Sequence, residues 1–259
     1  MSLYSFVSAK GSPGVSLAVT TLTSLWGEPA VAADLDPVGG DLALRHRAPG
    51  GIPLDEDLGL VSLGAALRGG QPGELDHHLQ PTEDGLEVLT GVNSPGQVHG
   101  LGTSWPHIAT ALRTHGTDVL ADCGRFTPGT PVMPVIEASS AVVFIARSDL
   151  EGLAHLRHRL GALQESVRLG TIPELRVGYA LVGDPGETRE VQDTERLLAS
   201  SGLTAKPLGV IAFDPRTVVG LQTESARKLR RSLYIRSLFD VAERVRAFAA
   251  ATRVSTGAI

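Results

Sequence analysis

Three segments bring together residue types that could act on a phosphate or a divalent cation. The first is Lys10-Gly11-Ser12-Pro13-Gly14-Val15-Ser16, which follows the apolar run Leu3–Ala9 and precedes an amphipathic stretch. Glycines in such a turn let successive backbone N–H groups point inward, and the following helix adds the positive end of its dipole. Ser16 stands where a hydroxyl could hold a magnesium ion. A strand–helix turn without a ligand is an equal reading of this loop taken alone. The second segment, Asp34-Leu35-Asp36-Pro37-Val38-Gly39-Gly40-Asp41, carries a carboxylate, Asp36. Near a terminal phosphate it would orient water or hold magnesium; elsewhere it is an ordinary Asx-Pro turn. The third is Asp118-Val119-Leu120-Ala121-Asp122-Cys123-Gly124. Asp122 ends a buried-type strand, where an unpaired charge is costly, so a metal or donor is expected beside it. Cys123 reads as a small packed residue, because no nearby group would activate it as a nucleophile.

Positioning these groups requires a particular order of elements. Short apolar runs predict strands at Leu3–Ala9, Pro29–Asp34, Leu86–Val92, Asp118–Asp122, Ala141–Arg147, Arg176–Gly183 and Pro207–Phe213. Amphipathic stretches predict helices at Val15–Trp26, Leu58–Leu67, before His115, at Asp149–Leu169 and at Glu187–Ser201, with further helices to the C-terminus. Gly116 and Gly202 read as stop signals. This alternation predicts an α/β fold, a mostly parallel central sheet flanked by helices on both faces. In such sheets ligands sit beyond the carboxyl ends of the strands, where all three segments fall. No composition break divides the chain, so residues 1–259 are expected to form one domain. The Gly/Pro-rich Ala48–Pro53 reads as a surface loop within it.

The glycine loop resembles that of the MinD/ParA family of P-loop ATPases, K-G-G-x-G-K-[ST]. Lys10, Gly11, Gly14 and Ser16 match, while Ser12 replaces a glycine and Val15 the lysine that reaches the β- and γ-phosphates. The segment around Asp36 is similar to the family's D-x-D-P-x-x-G-D first switch, and Asp118–Gly124 to the strand that begins its second switch. Leu208-Gly209-Val210-Ile211-Ala212-Phe213-Asp214-Pro215 resembles, more loosely, the family's late I-P-x-D strand and loop. The resemblance spans nearly the whole chain and implies a P-loop NTPase fold. It further implies ATP and Mg2+ as ligands, with Gly11, Ser12, Pro13, Gly14, Val15 and Ser16 around the phosphates and Asp214 and Pro215 beside the adenine. Magnesium would be held by Ser16, Asp36 and Asp122. Asp36 would orient or deprotonate the attacking water, and Lys10 would cross a homodimer interface to the partner's nucleotide. Where the family places a base-contacting asparagine, this chain has Gly183-Asp184-Pro185.

The missing lysine is chemically significant, since each charge-assisted contact contributes about 1.5–3 kcal/mol. Lys10, and Arg125 just past Asp122, are cations that could stand in. Three readings follow from the resemblance and this departure: a slow ATPase active as a dimer, a nucleotide switch without turnover, or a pseudo-ATPase scaffold. The favoured one is a positioning protein, in the manner of the family's cell-division, partitioning and pilus-localising members. A small-molecule ligase or synthetase on the same fold is the enzyme rival; no extra acid–base cluster or substrate domain stands out for it.

Bulk properties limit partners. The chain has 259 residues, 42% hydrophobic, 20% charged and only 4% aromatic, with a formal charge of −5 and a single cysteine. Ample core, mild acidity and one thiol argue against an all-over nucleic-acid coat and against a disulfide framework. Met1–Lys10 shows no signal-peptide pattern, and no apolar run approaches the roughly 20 residues of a membrane span. A cytoplasmic protein is expected, peripheral to the membrane only through partners. From Leu221 onward Arg227, Lys228, Arg230, Arg231, Arg236, Arg244, Arg246 and Arg253 outnumber Glu224, Asp240 and Glu243. By resemblance this could hold nonspecific DNA, but an ordinary solvated helix face is preferred. Leu238, Val241, Ala242, Val245, Phe248 and Ala249 recur at helical spacing and read as a stripe docking on the domain's own core, with Thr252–Ile259 too polar and short for a membrane anchor. His77, His78, His155 and His158 read as solvated helix positions without a third metal ligand.

Overall fold

The computed structural model describes residues 1–11, 13–70, 73–169, 175–186 and 188–251. The strands are β1 (Leu3–Ser8), β2 (Ala30–Asp34), β3 (Arg47–Ala48), β4 (Ile52–Pro53), β5 (Gln80–Pro81), β6 (Glu87–Leu89), β7 (Asp118–Arg125), β8 (Ala141–Arg147), β9 (Val177–Gly183) and β10 (Lys206–Ala212). The helices are α1 (Val15–Leu25), α2 (Leu42–Arg45), α3 (Leu60–Arg68), α4 (Pro95–Leu101), α5 (Trp105–Thr114), α6 (Met133–Glu137), α7 (Leu150–Leu169), α8 (Thr188–Ser200), α9 (Pro215–Gly220) and α10 (Leu233–Ala250).

Eight strands form one sheet in the order β10-β9-β8-β1-β7-β2-β6-β5. Every pairing in it is parallel except the short edge pair β5–β6. Parallel sheets must be covered on both faces, and the two-residue period of β1 shows how this is met. Leu3 and Val7 enter the core shared with α3, α5, α6 and α7, while Tyr4 and Phe6 enter the opposite core under α1 and α10. Helix α10 buries Leu238, Val241, Ala242, Val245 and Ala249 there, so its apolar stripe is spent inside the fold. The final residues from Thr252, and with them the expectation for the C-terminal tail and Arg253, lie outside the described residues.

The seven expected strands appear, with ends shifted by at most three residues. The largest extension is β7, which continues past Asp122 to Arg125. Ala48–Pro53 is not a plain loop: β3 and β4 pair in a tight hairpin, with Arg47 opposite Pro53 and Ala48 opposite Ile52. Gly50 and Gly51, at φ of 88° and 75°, supply the positive angles that such a hairpin turn demands. Helix α8 ends at Ser200, and Gly202, with φ of 68°, follows as its stop. Among the described residues no helix is long and apolar enough to cross a membrane.

Candidate functional site

The turn after β1 is held from both sides. Ala9 N–H donates to the Ile145 carbonyl of β8 at 3.4 Å, and Phe126 N–H donates to the Ser8 carbonyl at 3.1 Å. Gly14 then takes a left-handed conformation (φ 90°, ψ 35°) and starts α1, with Ala18 N–H donating to its carbonyl at 2.9 Å. Helix α1 has no side-chain cap and no acidic residue in its first turn. The positive end of its dipole is therefore left without an anionic partner from within the helix. A Cβ placed on Gly11 or Gly14 would meet no atom within 4 Å, so these glycines border open space. Ser12 lies outside the described residues; Pro13 is half-buried in the turn.

Val15, at the position of the missing lysine, is 6% exposed and belongs to the core under α10. This side chain is part of the packing of α1. Ser16, one residue on, is only half-buried, and its hydroxyl lies close enough to Asp122 to favour the ionised carboxyl.

The two acidic segments converge at the ends of adjacent strands. Asp34 and Asp122 are register partners in β2 and β7, and Leu35 N–H donates to the Asp122 carbonyl at 2.8 Å. Both carboxyls are buried, with Asp34 1% and Asp122 0% exposed. Burial pushes both above the usual carboxylate range, and the Asp122 charge adds to the shift at Asp34. Opposing this at Asp122 are the Ser16 hydroxyl and the Gly124 N–H, the latter donating to Oδ1 at 2.9 Å. Among the described residues, Asp122 Oδ2 is buried with no hydrogen-bond partner. A buried, unsatisfied carboxylate oxygen is expensive. It invites a cation or a proton.

Asp36 reaches the same place from the loop after β2. It accepts from Val38 N–H through Oδ1 at 2.8 Å, and its carboxylate lies against Gly124 so closely that a Cβ there would overlap it. Desolvation raises its pKa, and its charge in turn raises that of Asp122. Thus Ser16, Asp36 and Asp122 gather at the carboxyl ends of β2 and β7, beside the N-terminus of α1. Lys10 is exposed, and its charge acts on Asp149, just before α7, and on His155 within α7.

Asp214 and Pro215 lie elsewhere along the sheet, after β10. Asp214 caps α9, accepting from Thr217 N–H at 3.1 Å and Thr217 Oγ1 at 2.6 Å, and Pro215 is the first residue of that helix. Asp214 also borders a cavity of about 460 Å3 beyond β8, β9 and β10, together with Arg147, Asp149, Gly183, Asp184 and Phe213. The Arg147 guanidinium sits 5.5 Å over the Phe213 ring, which is 61% exposed.

Sequence reasoning passed over two features. Asp34 organises the first acidic loop, accepting from Leu42 N–H at 3.0 Å and Asp36 N–H at 3.3 Å, with Gly40 and Gly91 leaving room for its carboxyl. The signal was present: Asp34 ends an apolar strand just as Asp122 does. The Arg147–Phe213 pair gave no such warning, because its members are 66 residues apart and meet only through the β8–β9–β10 order. Cys123 is buried, its thiol pushed up to about 12 chiefly by desolvation, which suits packing rather than nucleophilic chemistry. His78 is only partly solvated, with Nδ1 2.8 Å from Ser62 Oγ. Of the basic C-terminal residues, Arg246 is held over the Trp26 ring and bonded to Glu243, and Arg244 packs against Gly209.

No family model and no curated protein matches the chain. Solved structures do. A ParA family ATPase from Chlorobium tepidum TLS superposes with a TM-score of 0.71 at 17% identity, covering 93% of this chain and 97% of that one. The cell division ATPase MinD of Pyrococcus furiosus gives 0.72 at 17% identity, covering 95% and 98%. The septum site-determining protein MinD of Pyrococcus horikoshii OT3, complexed with Mg-ADP, gives 0.69 at 16% identity, covering 94% and 95%. The chain has the α/β P-loop fold of the MinD/ParA ATPases.

Proposed function

We propose that this chain is a MinD/ParA-like positioning protein that binds ATP with Mg2+ at its lysine-less loop, hydrolyses it slowly or not at all, and acts through dimerisation. The observation that carries the reading is the unsatisfied Asp122 Oδ2, buried beside the Ser16 hydroxyl at the uncapped start of α1. An uncompensated helix N-terminus suits phosphate, and an orphaned carboxylate oxygen suits a divalent cation; the two stand side by side. The residues fit the ligand. Backbone N–H groups from Gly11 to Ser16 would take the phosphates, and Ser16, Asp36 and Asp122 would hold the magnesium. Bound Mg2+ would neutralise phosphate charge and offset the repulsion among the buried acids. Asp36, free of any capping duty beyond its own turn, is placed to orient a water or hold its proton. The base would extend toward the cavity beyond β8–β10, where the Arg147–Phe213 pair offers a stacking face. Such a switch would direct cell-division, partitioning or pilus machinery through protein partners, inside the cell and at the membrane only through those partners.

A second reading is favoured by one observation. Val15 is built into the core, so the chain could serve as a pseudo-ATPase scaffold whose surfaces carry the function with no nucleotide turnover. Molar mass in solution separates the two. With ATP–Mg the parent should approach twice its monomer mass, while Lys10→Ala should not. A single-chain mass under every nucleotide condition would defeat the dimer switch and leave the scaffold. Equal dimerisation and nucleotide binding by Lys10→Ala would remove Lys10 from its proposed role.

A further inference from the structure

The loop's charge balance is incomplete. It has an uncapped helix start and a space bordered by Gly11 and Gly14, yet its own lysine position is filled by a core valine. With Lys10 assigned to the partner's nucleotide, a triphosphate on three nearby carboxylates needs a further cation from the same chain.

Arg125 is placed to be that cation. It is the last residue of β7, three residues beyond Asp122, and its register partner in β1 is Ser8, immediately before Ala9-Lys10-Gly11. The hydrogen bond from Phe126 N–H to the Ser8 carbonyl, at 3.1 Å, fixes the backbone there. Between Phe6 and Ser8 the β1–β7 register shifts, and Gly124 takes a positive φ of 63°. Irregularities of this kind re-aim the side chain that follows them and recur beside functional sites. The guanidinium of Arg125 is exposed and makes no hydrogen bond or ion pair among the described residues. By contrast, Arg147 at the end of β8 is bonded to Asp149 at 3.0 Å. The charges of Lys10, Arg125 and Arg159 all bear on His155 of α7.

We propose that Arg125 is the phosphate-binding cation of this loop, delivered from the neighbouring strand in place of the residue that Val15 displaced. This rests on the reading that the loop binds ATP–Mg. Sheet order adds a specificity. The base-side cavity lies beyond β8–β10, whereas β7 lies on the other side of β1, next to Asp36 on the loop after β2. Arg125 therefore addresses the phosphate farthest from the base, and its planar fork suits two oxygens of one phosphate. It discriminates ATP from ADP.

Calorimetric titrations of the full chain with ATP–Mg and ADP–Mg, for the parent, Arg125→Ala and Arg125→Lys, test this. Arg125→Ala should weaken ATP–Mg at least ~10-fold and ADP–Mg less than ~3-fold, with an unchanged melting temperature, and Arg125→Lys should bind ATP–Mg better than Arg125→Ala. Parent-like ATP–Mg affinity in Arg125→Ala overturns the assignment while leaving the nucleotide reading intact. An equal loss for both nucleotides overturns the assignment to the terminal phosphate. A melting temperature lowered by Arg125→Ala shows a structural role and overturns it too. A parent that binds neither nucleotide ends the nucleotide reading itself, and this inference with it.

Discussion

Replacing Gly124 by alanine probes the junction on which the acidic site depends. Gly124 sits at φ 63°, and a Cβ there would stand 2.5 and 2.6 Å from the two carboxylate oxygens of Asp36. Two costs follow. Holding a non-glycine residue in the left-handed region costs about 1–2 kcal/mol. Asp36 must swing aside, giving up its 2.8 Å hydrogen bond from Val38 N–H, which is worth about 0.5–1.5 kcal/mol. The sum is about 1.5–3.5 kcal/mol, and at roughly 2–4 °C per kcal/mol for a chain of this size the melting temperature should fall by roughly 3–14 °C. Differential scanning calorimetry measures the shift, and titration with ATP–Mg measures the second consequence, a loss of at least ~10-fold as Asp36 leaves the magnesium side of Asp122. A variant that melts with the parent and binds equally would refute the reasoning, because it would mean that Asp36 does not rest against Gly124 in solution.

Three further outcomes follow from the same geometry. Asp34 and Asp122 both have raised pKa values in the fold, so the folded chain holds more protons than the unfolded one above the usual carboxylate pKa; ligand-free stability from this pair should be lost as pH rises from about 4 to about 7. Thermal melts of the parent and Asp122→Asn across that range should diverge, the parent falling more steeply, and parallel profiles would show that the pair carries no such strain. Asp214→Ala removes the α9 cap and should cost about 0.5–2 kcal/mol in a chemical denaturation experiment, with Asp214→Asn recovering most of it. Val15→Lys withdraws a buried side chain from the core, and should lower stability by about 1–3 kcal/mol while raising ATP–Mg affinity ~10-fold or more, as read by melting and titration together.

Much of the fold was readable because strands covered on both faces are written as short apolar runs. Ala141–Arg147 was delimited to the residue, and the helices α1, α3, α5, α7, α8 and α10 showed their period, whereas α4 was not set apart. What escaped had little apolar signal. The β3–β4 hairpin is two residues per strand and is set by Gly50 and Gly51; α2 and α6 are single turns fixed by tertiary contacts. The site followed the same rule. Asp122 could be singled out because a charge closing an apolar strand needs a partner, and Asp34 met the same criterion unnoticed. Val15 was visible as a substitution, but its burial was not, since a valine at the start of a helix does not announce which way it faces. Arg147 ends β8 and Phe213 follows β10, strands that are neighbours of neighbours, and nothing local joins them. Lys10 and Arg125 were both visible as nearby cations; only the β1–β7 register set Arg125 beside the loop.

The central claim is that the turn between Lys10 and Ser16, with Asp36 and Asp122 at its side, is an anion and magnesium site despite its missing lysine. Isothermal titration of the intact chain with ATP, in the presence and absence of Mg2+, addresses it directly. The account predicts saturable binding at one site per chain that depends on Mg2+ and weakens at least ~10-fold in Asp122→Asn. A folded chain that takes up no ATP at millimolar concentration, or binds it equally well without Mg2+ and without the Asp122 charge, would contradict it.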